Sequence, residues 1–230
     1  MNLGAHIAVV DHAFAADGAE RSDDDAARLL GSALPDLATI GRFRLLGSTD
    51  HAATTDGIAL HHRTDDLFHG HPWFTQRNRD LTDTLTEAGV ARGPAMACSH
   101  VGIELLLDGR LTAEPDIREA NDDAFAAIAP LRDRLISLVP PTRQREWSDF
   151  LDRLSDRPDP PDYRDPETVA VRLHRILATR PRLALPNHQI GVVTTALAAR
   201  QTSIANTAIE LVADIAQRLP AARKGAGRPA

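Results

Sequence analysis

An all-α fold is what this sequence predicts, and three observations carry that expectation. Alanine, leucine and arginine dominate the chain, and all three are strong helix formers. Aromatic residues make up only 4% and β-branched runs are few, so strand signals are weak. Capping residues and prolines also punctuate the chain at helix-length intervals.

Taken in order, helices are expected near 5–14, 22–31, 35–45, 54–70, 73–89, 94–108, 115–137, 143–155, 166–179 and 188–218. The second opens on Ser22 followed by Asp23, Asp24 and Asp25, a cap with acids in the first turn. Pro35 is expected to start the third helix, with Asp36 as its first-turn acid. Pro72 ends the fourth, and Gly93-Pro94 separates the fifth from the sixth. Pro140-Pro141 and the Pro158-Asp159-Pro160-Pro161 run read as loops in the second half. Residues 220–230, rich in Ala, Arg, Gly and Pro, read as a disordered tail. Residues 1–219 are then a single multi-helix domain, for which 230 residues at 43% hydrophobic supply enough core.

Composition also excludes several classes. One cysteine, Cys98, rules out a disulfide framework or a cysteine-rich zinc finger, and it reads as a small core residue. No apolar stretch reaches the roughly 20 residues that cross a bilayer. Met1–Val10 has no basic flank, and Asp11-His12 interrupts its apolar run, so a signal peptide is not expected and the cytoplasm is. The net charge of −6 is unevenly spread: residues 1–130 carry 10 Lys/Arg against 21 Asp/Glu, and residues 131–230 carry 16 against 11. An acidic half of this kind, with few aromatic residues, argues against nucleic acid as a partner.

That acidic half holds the chemistry. His61 and Asp65 form an H-x-x-x-D pair, and His100 and Glu104 an H-x-x-x-E pair. Residues four apart share a helix face, so each pair can offer two ligands to one ion. Imidazole and carboxylate together suit zinc, manganese or iron. Glu104 sits in the apolar run Ala95–Leu107, where an unpaired carboxylate is costly to bury, although a hydrogen-bonded His–Glu core pair is an alternative. Five of the ten histidines (His51, His61, His62, His69 and His71) crowd into residues 51–71. His62 and Asp66 fall on a neighbouring face. Arg63 is a candidate phosphate clamp, or else a surface arginine pairing Asp66 or Asp56.

Several segments resemble the acyl carrier protein phosphodiesterase family. Met1-Asn2-Leu3-Gly4-Ala5-His6 is similar to its M-N-F-L-A-H opening, and Gly31-Ser32-Ala33-Leu34-Pro35-Asp36 to its G-N-L-L-A-D. Gly57 to Asp65 resembles G-I-x-x-H-R-R-I-D, His71-Pro72 its H-P, and Arg180-Pro181-Arg182-Leu183 its R-P-R-L. The resemblance implies a helical domain that hydrolyses the phosphodiester linking 4′-phosphopantetheine to an acyl carrier protein. It also implies a divalent metal such as Mn²⁺ held by His6, Asp36, His61 and Asp65. His100 and Glu104 stand where that family has two aspartates, and His62 where it has an arginine.

A more distant resemblance is to zinc-dependent phospholipases C and single-strand nucleases. Their ligand order is an N-terminal group, an early His, Asp, a lone His, H-x-x-x-D, a further His and H-x-x-x-E. His6, Asp36, His51, His61 with Asp65, His71, and His100 with Glu104 run in that order here. This resemblance implies more than one ion, Zn²⁺ in kind, with Asp65 bridging two of them.

The expected function is therefore a metal-dependent phosphodiesterase with its site between helices of the N-terminal half. Asp65 or Glu104 is expected to orient or deprotonate water. The substrate is expected to be an acyl carrier protein. The alternatives are another phosphoester (a phospholipid, a nucleotide or single-stranded nucleic acid) and a helical metal-binding protein without turnover.

Overall fold

The computed structural model describes residues 1–14, 21–155 and 161–219. The proposed tail at 220–230 and most of the Pro158–Pro161 loop lie outside the described residues. Within them the chain is all-α: ten α-helices, two short 3₁₀ turns and no strand. The helices are α1 (Leu3–Phe14), α2 (Asp23–Gly41), α3 (Ala52–Gly70), α4 (Pro72–Glu87) and α5 (Arg92–Leu111). They continue as α6 (Pro115–Ala126), α7 (Ile128–Ile136), α8 (Gln144–Ser155), α9 (Pro166–Leu177) and α10 (Ile190–Gln217).

The organising element is α1. Seven consecutive residues, Gly4 to Val10, are buried, which a surface helix with one apolar stripe would not show. Helices α2, α3, α5, α6 and α10 all pack on it. Its start is held by Asp108 of α5, whose carboxylate accepts the Ala5 N–H at 2.9 Å and the Asn2 side-chain amide at 3.2 Å. These bonds satisfy free donors at a helix N-terminus and place a negative charge at the positive end of its dipole.

Helices α2 and α3 form the tightest pair. A Cβ on Gly57 would lie 2.1 Å from the Arg28 carbonyl oxygen and 2.7 Å from the Gly31 Cα. Only glycine permits that backbone-to-backbone approach. Ser22 caps α2, as its sequence predicts, and the structure adds a reciprocal bond from the Ser22 N–H to the Asp25 side chain.

Two boundaries depart from expectation. Helix α2 runs through Pro35. Proline inside a helix costs about 3 kcal/mol, but buried residues on both sides, Leu29–Leu34 and Leu37–Ala38, anchor each half in the core. Conversely, the single helix expected over 115–137 breaks at Ala127. Pro130 sits in the first turn of α7, where its missing N–H costs little; one helix through it would leave the Ala126 carbonyl unpaired. No helix among the described residues is long and apolar enough to cross a membrane.

Gly57→Ala should destabilise the protein by about 1–3 kcal/mol, the usual range for overpacking, measured as a lowered urea midpoint. An unchanged midpoint would show that α2 and α3 do not touch through their backbones.

Candidate metal centre

Four helices converge on one cluster. Helix α1 brings His6, α2 brings Asp36, α3 brings His61, Asp65 and His69, and α5 brings His100 and Glu104. These side chains form two groups.

The first group is His6, Asp36 and His61, whose ligand atoms all lie within 4.8 Å of one another. His6 is fully buried and its ring stacks on that of His61, with centroids 3.9 Å apart. Its Nε2 lies 3.9 Å from Asp36 Oδ2 and 3.8 Å from Asp65 Oδ1. Both separations are too long for a hydrogen bond. They are also shorter than about 4.1 Å, twice a zinc–ligand bond. His6 Nε2 and Asp36 Oδ2 are buried with no hydrogen-bond partner. Two facing polar atoms without a hydrogen-bond partner are costly to bury. A cation satisfies both.

The second group is His69, His100 and Glu104. His69 Nε2 is 3.2 Å from His100 Nε2 and 3.1 Å from Glu104 Oε1, and His100 Nε2 is 3.2 Å from the same oxygen. Neighbouring ligands of a tetrahedral zinc ion stand about 3.3 Å apart, so the triangle has the right size for one ion. Phe74 lies edge-on to both imidazole rings and closes one side. The His100 side chain keeps 42% of its exposure, so this group opens to solvent.

Asp65 lies between the groups. Its Oδ2 is 3.3 Å from His69 Nδ1, and its Oδ1 accepts from the Met1 ammonium at 2.8 Å. That ammonium is also 3.4 Å from Glu104.

The electrostatics differ between the two groups. Burial, reinforced by the neighbouring His61, holds His6 well below its ordinary pKa, and burial brings His61 down to about 4. Burial pushes Asp36 up to about 7. In the second group, hydrogen bonds that His69 donates to Asp65 and then to Glu104 raise it to about 9. Burial opposes ionisation of Asp65 and Glu104 alike. Hydrogen bonds outweigh it and keep both well below the carboxylate range: from His69 and the Met1 ammonium for Asp65, and from His100 and His69 for Glu104.

Of the residues expected as ligands, the structure brings His6, Asp36, His61, Asp65, His100 and Glu104 together, and it leaves His51 and His71 outside both groups. His51 caps α3, its Nδ1 accepting from the Thr54 N–H, and its Nε2 is 3.7 Å from Asp24. His71 caps α4 through the Trp73 N–H at 3.0 Å and turns its Nε2 to Asp214 of α10 at 2.7 Å. Arg63 is exposed. Two positions from both His61 and Asp65, it projects from the opposite side of α3, so a phosphate clamp there is not what the fold builds. Cys98 is a buried core residue, its thiol pushed up to about 12 by burial.

His69 did not stand out as a ligand in the sequence. The signal was present: His61, Asp65 and His69 are spaced by four and share one face of α3. Thr64 and the Ser32 carbonyl, which hold His6 and His61, carry no sequence signature.

No protein-family profile matches this chain, and neither the curated proteins nor the solved structures contain a match. What fold and site define is a class: an all-helical protein with two adjoining His/carboxylate clusters whose ligand atoms are close enough together that each could hold a metal ion.

At neutral pH both imidazoles of the buried group are free of an extra proton, so Asp36 carries the proton an ion must displace. Zinc affinity at this group should rise about tenfold per pH unit below 7 and level off above it. Calorimetric titration from about pH 5.5 to about 8.5 reads this, and an affinity flat across that range would contradict it.

Proposed function

We propose that the protein is a metal-dependent phosphodiester hydrolase. The observation that carries this reading is the pairing of the two groups across Asp65. One is buried with unpartnered polar atoms; the other opens to solvent. Such a pairing suits two-ion catalysis, in which a closed position holds structure and an accessible one meets substrate.

When bound, divalent ions at these groups supply an activated water and neutralise charge on the phosphoryl group. The chain's own residues do the rest. His6, Asp36 and His61 hold the inner position, and His69, His100 and Glu104 the outer one. Glu104 is largely enclosed by the two imidazoles, so ligation is its role. Asp65 is 38% exposed and stays ionised far below neutral pH. As an ionised acceptor at the junction of the two groups, it would orient an attacking water.

Zn²⁺ and Mn²⁺ are the ions the mixed imidazole and carboxylate set favours. The 4′-phosphopantetheine phosphodiester of an acyl carrier protein is the substrate suggested by the M-N-L-G-A-H opening and the segment around His61. Small phosphodiesters are the comparison, because the acidic N-terminal half works against docking an acidic carrier.

Purified protein, stripped of metal and reloaded with Zn²⁺ or Mn²⁺, should hydrolyse bis(p-nitrophenyl) phosphate or release phosphopantetheine from holo-carrier protein. Asp65→Asn should reduce that rate by about 100-fold or more with the helical circular dichroism retained. No turnover of either substrate by the reloaded protein would overturn the reading; full activity in Asp65→Asn would remove Asp65 from the chemistry.

A further inference from the structure

Metal binding at the buried group depends on where one proton sits on His6, and the surroundings of that proton are set by Thr64. Thr64 is fully buried on α3, between His61 and Asp65. Its Oγ1 donates to the His61 carbonyl at 2.8 Å. A threonine hydroxyl has a single proton. With that proton committed to the carbonyl, Oγ1 can only accept from His6 Nδ1, which lies 2.6 Å away. His6 must then carry its hydrogen on Nδ1, leaving a lone pair on Nε2.

The opposite arrangement is unfavourable here. If His6 carried its hydrogen on Nε2, that N–H would be buried with Asp36 at 3.9 Å and Asp65 at 3.8 Å, beyond hydrogen-bond reach of either. It would also stand where an ion must go. His61 is fixed in the same sense by a different device. Its Nδ1 donates to the Ser32 carbonyl of α2 at 2.9 Å, an acceptor that cannot donate in return. The glycine contact between α2 and α3 brings that carbonyl within reach.

We propose that Thr64 is a positioning residue that locks His6 in its Nδ1–H tautomer, so that both imidazoles of the buried group present bare Nε2 atoms to a divalent cation. This rests on the metal-binding reading above and adds the element that makes the site ready before any ion arrives. A hydrogen-bond partner behind a ligating histidine typically changes metal affinity by 10–100-fold.

The test uses the full chain in three forms: wild type, Thr64→Val, which keeps the shape and loses the hydroxyl, and Thr64→Ser, which restores it. Long-range ¹H–¹⁵N correlation spectra of the metal-free protein should show His6 protonated on Nδ1 in wild type and Thr64→Ser. In Thr64→Val its population should shift towards Nε2–H. In zinc titrations against a chromophoric chelator, one zinc equivalent should weaken by about 10–100-fold in Thr64→Val and recover in Thr64→Ser. An Nε2–H tautomer in the wild type overturns the inference alone, whether or not Thr64→Val folds. So does a Thr64→Val protein with unchanged tautomer and zinc affinity. Absence of zinc binding by the wild type would sink the metal reading, while the tautomer measurement would still decide the role of Thr64.

Discussion

Two polar atoms that face each other in the core beyond hydrogen-bond reach are the constraint on which this structure turns. His6 Nε2 and Asp36 Oδ2 are buried, unpartnered and 3.9 Å apart. Leaving such groups unsatisfied costs on the order of 1–3 kcal/mol each. The surroundings enforce the arrangement. Asp108 fixes the start of α1, glycines bring α2 and α3 into contact, and Thr64 and Ser32 occupy the other nitrogen of each imidazole. The cluster is therefore pre-organised for a positive charge.

The outer group follows a different logic, and the contrast is informative. His69, His100 and Glu104 satisfy one another without an ion, because His69 can hold an extra proton between Asp65 and Glu104. A proton and a metal are then alternative occupants of similar space. In the inner group burial disfavours protonating either imidazole, and the proton it holds sits on Asp36 instead, beyond hydrogen-bond reach of His6 Nε2. The inner position thus carries the stronger structural case for a cation, and the outer one, open to solvent, the stronger case for contact with substrate.

Much of this was legible in the sequence, for physical reasons that can be named. Helix content follows from composition, and the cap at Ser22 and the break at Pro72 follow from local chemistry, so those elements appear where expected. Six of the residues that the fold gathers at the two groups were readable from four-residue spacing together with family resemblance. Tertiary effects were not readable. Burial on both sides of Pro35 overrides its local penalty, while the run expected as one helix over 115–137 breaks at Ala127, just before Pro130 in the first turn of α7. His51 and His71 share the crowding of their neighbours but sit at helix starts, where backbone N–H groups claim their Nδ1 atoms. His69 lies two turns from His61, and only the folded chain shows that its side chain meets His100 and Glu104 of α5.

The most direct test of the central claim is crystallographic: diffraction at the zinc absorption edge from crystals of the protein soaked in a zinc salt. The account predicts an anomalous peak bounded by His6 Nε2, Asp36 and His61, with those side chains drawn in to ligand distance. A well-ordered structure with no peak there, and with His6 Nε2 and Asp36 hydrogen-bonded to each other or to water, would contradict it.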